Sequence, residues 1–218
     1  MSTARRSDGD LTKSKILEAA GQLIAQNGFA QTSNKQIAQA AEVDLAAINY
    51  HFDGRDGLYK AVLAEAHTHY IDEKRLLELV ESSLPPTQKL EIFYEAIVNK
   101  LIEKDIWHSK VFIRELFSPS LYLHEFMAND GARKFQSVRK IISEVAGLDE
   151  DHPALLPCVL STIAPCFMLI ITNTNIPTPI QNISQIESQQ LVKHLMTFSL
   201  AGLKAVKQEQ EQLWSLGS

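Results

Sequence analysis

The sequence predicts an all-α protein in two unlike parts, a short-helix N-terminal segment and a longer, more apolar helical bundle. Three observations carry this expectation. Period-two runs of β-branched residues are almost absent, and no Asn-Gly turn joins two such runs. Apolar residues recur at helical spacing from Ile16 onward. Clusters of Gly, Pro, Asn and Asp punctuate those patterns at regular intervals. The 218 residues are 45% hydrophobic and 22% charged, enough to bury a core without staples. Disordered, collagen-like and disulfide-scaffold classes are thereby excluded. Two cysteines point to a reducing compartment. The N-terminus carries no apolar signal core, and the longest apolar stretch, about 155–171, contains Pro157 and Pro165 and falls short of a span of ~20 residues. A soluble cytoplasmic protein is expected. The net charge of −5 argues weakly against a bulk binder of nucleic acid.

The first helix shows its stripe in Ile16, Leu17, Ala20, Leu23 and Ile24, and Asn27-Gly28 ends it with a left-handed cap. Ser33 and Gln36 form an S-x-x-Q capping box, so a second helix starts there, with Ile37, Ala38 and Ala41 inward. Asp44 can cap a third short helix from Leu45 to about Phe52, anchored by Ile48 and Phe52. Asp53 is the candidate cap of a fourth, which carries Leu58, Val62, Leu63, Ala66 and Tyr70 and runs on to about Val80. Pro85-Pro86 breaks the chain. Further helices are expected at about 87–104, 107–117, 130–146, 153–173 and 184–212. Breaks fall at Ser118-Pro119, Asn129-Asp130-Gly131, Gly147, Asp151-Pro153 and the polar 172–178 loop, and the tail after Trp214 is expected to fray. The expected division is 1–58 and 59–218.

Two short helices joined by a tight turn and braced by a preceding helix make helix-turn-helix geometry. The third helix must keep one face free to enter a major groove. Ala46 and Ala47 are small enough for close approach, and Asn49, Tyr50 and His51 can reach base edges or phosphates.

The run Thr32-Ser33-x3-Ile37-Ala38-x2-Ala41-x-Val43-Asp44-x2-Ala47-Ile48-x-Tyr50-His51-Phe52-x2-Arg55-Asp56-x-Leu58-Tyr59 resembles the DNA-binding signature of the TetR family of bacterial transcriptional regulators. The resemblance covers about residues 12–70. Glu42 stands where the signature has its turn Gly, Asp44 replaces Ser, and Asn49 stands where Tyr is frequent. Ala46 to Phe52 reads AAINYHF, a style that recurs in one subgroup of the family. Carried over by position, the resemblance implies DNA contacts at Thr32, Ser33, Asn34, Leu45, Ala46, Ala47, Asn49, Tyr50, His51 and Arg55. Arg5 and Arg6, with Lys13 and Lys15, read either as a solvated tail or as a phosphate-binding arm.

Beyond residue 59 aromatic and soft side chains accumulate. In a helical bundle most of these are core. The resemblance implies a ligand pocket in the same bundle, for which Trp107, Phe112, Arg114, Phe117, Phe126, Phe167 and Met168 are the candidates. Arg114 and Glu115 are odd among apolar neighbours. They pair with each other or with a partner helix, or Arg114 offers charge to a ligand. The last two helices are the candidates for a homodimer interface, with Leu155, Leu156, Val159, Leu160, Ile163, Phe167, Ile170 and Ile171 on one and Leu191, Leu195, Phe198, Leu200 and Leu203 on the other.

His67 and His69 lie two apart and face different ways on a helix, so no metal site is expected. No catalytic motif, phosphate loop or cofactor fingerprint is present, so neither an enzyme nor a cofactor is expected. Buried Cys158 and Cys166 are expected to act as small hydrophobes. The resemblance implies a homodimeric, ligand-responsive repressor. Its expected partners are double-stranded operator DNA, a second copy of itself and a small-molecule effector, with no membrane. Ligand binding would shift the fourth helix and spoil the spacing of the two reading heads. Open alternatives are a DNA-bound factor of this fold acting mainly through protein partners, and an all-α small-molecule carrier. Residues 1–60 hold seven basic and seven acidic residues, so the whole negative charge belongs to the rest.

Overall fold

Apolar stripes at helical spacing and capped ends produce eleven α-helices among the described residues, which in this computed structural model are 8–102, 106–172 and 181–217. They are α1 (Asp8–Asn27), α2 (Asn34–Ala40), α3 (Leu45–Phe52), α4 (Arg55–Thr68), α5 (Glu73–Glu81), α6 (Pro86–Ile102), α7 (Ile106–Phe117), α8 (Leu121–Phe126), α9 (Ala132–Ala146), α10 (Leu155–Thr172) and α11 (Ser188–Gly217). The described residues contain no strand, so the expected all-α class holds. Arg5, Arg6 and most of the expected 172–178 loop lie outside the described residues.

Several boundaries differ from expectation. The helix opening at Arg55 ends at Thr68 instead of running to Val80. Asp72 starts a new one, its carboxylate accepting the Arg75 N–H at 3.1 Å. Asp53 does not cap α4. It closes α3 in the left-handed region (φ 56°), its N–H donating to the Asn49 carbonyl. Ser118-Pro119 separates α7 from α8, a helix too short to show a period in sequence. Asn129-Asp130-Gly131 is no break. A π-helical turn, Met127–Gly131, carries α8 into α9, and Gly131 precedes α9 in helical geometry. α11 continues past Trp214 to Gly217.

The described chain forms two compact units. The first takes residues up to His67 together with Ile106–Phe126, and the second takes Thr68–Ile102 and Met127 onward. α4 therefore runs unbroken across position 58, and the α7–α8 hairpin belongs with the N-terminal helices.

In the first unit the α1 stripe is buried as expected, with Ile16, Ala20 and Ile24 at or near zero exposure. Ile37, Ala38, Ile48, Phe52, Leu58, Val62 and Leu63 close over it. Trp107 and Val111 of α7 complete this core. Trp107 lies flat against α1 where only Gly21 leaves room, since a Cβ there would sit 2.5 Å from the indole. Its Nε1–H donates to Glu18 at 3.0 Å, one turn earlier on α1.

The second unit is built on Leu76, Leu90, Tyr94, Ile141, Ile142, Leu155, Val159 and Leu203, drawn from α5, α6, α9, α10 and α11. Its buried polar groups are paired. The Tyr94 hydroxyl donates to the Thr162 carbonyl at 3.1 Å and shares a 2.7 Å bond with Ser199. Lys89, 5% exposed, donates to the Val80 carbonyl and to Glu144 at 2.8 and 2.9 Å. Both cysteines are buried in α10, and burial pushes the Cys166 thiol up to about 12, which keeps it neutral and unreactive. No helix of the described residues is long and apolar enough to cross a membrane.

Helix propensity alone favours Ala over Gly at position 21 by ~1 kcal/mol. Packing reverses the sign, because Gly21→Ala must displace the Trp107 ring. We expect Gly21→Ala to destabilise the protein by about 1–3 kcal/mol in urea unfolding, with the indole emission of Trp107 shifted to the red.

Candidate nucleic-acid interface

The interface is built from two short helices, neither of which would hold its shape alone. α2 starts on a complete capping box. Ser33 Oγ accepts the Gln36 N–H at 3.3 Å, and Gln36 Oε1 accepts the Ser33 N–H at 2.8 Å. α3 starts on Asp44, whose carboxylate accepts the Ala46 N–H at 2.7 Å. Both caps lie where the sequence places them.

The turn between them is tight although it lacks glycine. Glu42 takes the left-handed conformation (φ 56°) in which glycine is the common residue. Its N–H donates to the Gln39 carbonyl, and the Val43 N–H donates to that of Ala38 at 3.0 Å. These two bonds make a Schellman motif, which satisfies the free carbonyls at the end of α2. At the other end of α3, Gly57 lets α4 pass close by. A Cβ there would lie 1.8 Å from the Phe52 carbonyl oxygen.

α3 has two faces. Ile48, fully buried, and Phe52, 6% exposed, pin it to the core. Leu45, Ala46, Asn49 and Tyr50 stand on the opposite side at i, i+1, i+4 and i+5, all exposed, Tyr50 at 84%. Ala47 and His51 are half-buried at the edges, and the His51 ring meets Tyr50 edge-on at 4.9 Å. Lys13 of α1 reaches over the Phe52 ring at 5.6 Å. A free face on a short, capped, anchored helix can be laid in a groove without disturbing the core.

The other expected contact residues divide. Ser33 is exposed but its hydroxyl serves the capping box, and Asn34 is half-buried. Thr32 is turned inward at 2% exposure, with its hydroxyl donating to the Gly28 carbonyl at 2.8 Å. Its side chain therefore cannot face a groove. Arg55 likewise points into the fold. One guanidinium nitrogen donates to the Phe29 carbonyl at 2.6 Å, and the plane covers the Phe29 ring at 4.6 Å. Half-buried Arg55 thus grips the α1–α2 turn with one arm of its fork.

The seven pocket candidates are divided between the two units. Trp107, Phe112, Arg114, Phe117 and Phe126 belong to the first unit, Phe167 and Met168 to the second. Trp107 is spent on Gly21. Phe112 and Phe126 flank the His67 ring at 4.8 and 4.4 Å. Arg114 lies exposed beside Gly28, next to the carbonyl end of α1, where a cation is favoured. Phe117 is 72% exposed at the end of α7, Phe167 is half-buried on α10, and Met168 is 47% exposed.

Glu115 takes the partner-helix option. At 3% exposure its carboxylate accepts the Tyr59 hydroxyl of α4, and also the Ser120 N–H and hydroxyl at 3.0 and 2.8 Å. Burial, and then the Glu115 carboxylate, holds the Tyr59 phenol well above its ordinary value, so it stays a donor. Tyr59 in turn stacks on Phe29 at 4.0 Å. The sequence marked Glu115 as odd and placed Tyr59 in the family signature, but nothing in it signalled Phe29 or joined these residues to one another.

An anchored helix-turn-helix on an all-helical frame defines the class, and comparison with known proteins specifies it. Residues 16–62 match the family described as bacterial regulatory proteins, tetR family. Residues 86–203 match the C-terminal domain of the HTH-type transcriptional dual regulator CecR. The chain belongs to the TetR family and carries a CecR-type C-terminal domain. It is 27% identical over 139 residues to the "Probable HTH-type transcriptional regulator YttP" of Bacillus subtilis, the match covering 56% of this chain and 66% of that relative. A TetR-like transcriptional regulator from Rhodococcus sp. RHA1 shares the fold at TM-score 0.66 and 14% identity, covering 91% of this chain and 98% of that one. FadR from Bacillus subtilis, solved in complex with stearoyl-CoA, shares it at TM-score 0.66 and 18% identity, covering 87% and 98%.

The strained turn is testable. An L-residue in the left-handed region costs about 1–2 kcal/mol, and glycine's greater freedom in the unfolded chain returns part of that. Glu42→Gly is expected to raise unfolding stability by about 0.5–1 kcal/mol, read from the urea midpoint at unchanged slope.

Proposed function

We propose that the chain is a transcriptional regulator, not an enzyme, that binds a near-palindromic operator as a homodimer and acts as a repressor released by a small-molecule effector. It falls in the subgroup with an AAINYHF recognition helix. The observation that carries this reading is the free outer face of α3, with Leu45, Ala46, Asn49 and Tyr50 exposed on a helix pinned by Ile48 and Phe52. Asn49 supplies an amide suited to an adenine edge, and Tyr50 and His51 supply phosphate contacts. Thr32 and Arg55 hold the turn behind this face. The family to which residues 16–62 belong supports the same reading.

Dimerisation is supported by apolar surface on the second unit. Leu156 and Leu160 of α10 are 60% and 63% exposed, and Phe198 of α11 is 72% exposed. Ala201, Gly202 and Ala205 continue the α11 face, with open space beside Gly202. Small residues on a helix let a second helix approach closely. An effector releases DNA only if it binds the DNA-incompetent dimer more tightly than the competent one. The stearoyl-CoA held by the FadR neighbour makes acyl-CoA thioesters the first compounds to test.

Two outcomes are expected. A duplex enriched by the wild-type protein from a random library should lose tenfold or more in affinity in Asn49→Ala/Tyr50→Ala, with helicity and unfolding midpoint unchanged. Binding equal to wild type would sink the assignment of α3. Phe198→Glu should shift the sedimentation coefficient from dimer to monomer, and a dimer that survives it would move the interface elsewhere.

A further inference from the structure

The carboxylate of Glu115 is the least expected group in the first unit. It is an acidic side chain only 3% exposed, it lies on α7, and its bonds to Tyr59 and Ser120 join two elements and close a turn. One oxygen takes the Ser120 N–H and hydroxyl. Ser120 Oγ accepts the Leu123 N–H at 3.2 Å, which starts α8. The other oxygen takes the Tyr59 hydroxyl, so α4 is tied to the α7–α8 hairpin.

From Tyr59 the contacts continue without a gap to the start of α2. Tyr59 stacks on Phe29 at 4.0 Å and 18°, and Tyr122 of α8 packs edge-on against both rings at 5.3 and 5.9 Å. The Phe29 carbonyl accepts from Arg55 at 2.6 Å and from the Thr32 N–H at 3.2 Å. Thr32 precedes Ser33, the cap of α2. We propose that Glu115 is a positioning residue for DNA reading, which holds Tyr59 against Phe29 and so fixes the α1–α2 turn from which the helix-turn-helix departs. This rests on the DNA-binding reading above. Glu115 itself meets no nucleic acid.

The test uses the full chain, with Glu115→Gln, Tyr59→Phe and the double variant. Tyr59→Phe keeps the stacked ring and carries the test if Glu115→Gln does not fold. Amide hydrogen exchange needs no DNA. Residues 28–36 should exchange at least tenfold faster in each variant, while residues 90–98 of α6 stay as in wild type. Affinity is then measured on the duplex enriched by the wild-type protein, well below every unfolding midpoint. Each single variant should bind about tenfold more weakly, and the double no worse than the weaker single, because both remove one linkage. The salt dependence should keep its wild-type slope, since no phosphate contact is lost. A residue that mattered only for stability would leave affinity unchanged at that temperature.

Unchanged exchange in 28–36, wild-type affinity in both singles, or losses that multiply in the double would each overturn the proposal. If the wild-type protein enriches no duplex, the DNA-binding reading falls, and the proposed role in DNA reading falls with it. Faster exchange in 28–36 would then show only that Glu115 orders the turn.

Discussion

The N-terminal helices cannot bury their own apolar faces, and the structure depends on how that shortage is met. α2 and α3 are seven and eight residues long, below the length at which isolated helices persist in water. Their inner faces offer Ile37, Ala38, Ile48 and Phe52 to a core whose remaining side is closed by Trp107 and Val111. The indole reaches that core because position 21 has no side chain. Once it is seated, α7 and α8 become walls of the reading head, and groups on them, Glu115 first, gain a say in its geometry.

A head whose first sixty residues hold seven basic and seven acidic groups has no broad electrostatic hold on DNA. It grips by shape and a few placed groups, which makes rigidity matter more than charge. The bonds that supply rigidity are numerous and local: the capping box on α2, the Asp44 cap, the Schellman turn at Glu42 and the Arg55 clamp on Phe29. Each is worth about 1 kcal/mol in ordinary circumstances, so the head is fixed by their sum. The exposed side of α3 contributes little to stability, and its residues are free to be chosen for recognition.

Local rules read the first fifty-two residues well. The stripe Ile16–Ile24, the Ser33–Gln36 box and the Asp44 cap depend on residues three or four apart, and they stand where spacing puts them. Local rules are silent where the deciding partner is distant in sequence. Arg55 looks like a free phosphate ligand until Phe29, twenty-six residues earlier, is found beneath it. Trp107 looks like a pocket wall until Gly21 is found against it. The end of α4 at Thr68 was hidden because the apolar pattern continues across it, and only the Asp72 cap marks the new start. The aromatic residues gathered as one pocket share a composition, and composition carries no information about which unit a side chain joins.

The first unit is also discontinuous along the chain, since it needs Ile106–Phe126 as well as the residues up to His67. A ribosome extends a chain at about 5–20 residues per second, so the segment between His67 and Phe126 takes about 3–12 s to make. Throughout that interval the residues of α1 to α4 lack the side chains that cover the Gly21 side of their core. Closure of that core by Trp107 and Val111 waits on a hairpin translated after α5 and α6. Maturation of the reading surface is thus timed by synthesis of the chain beyond it.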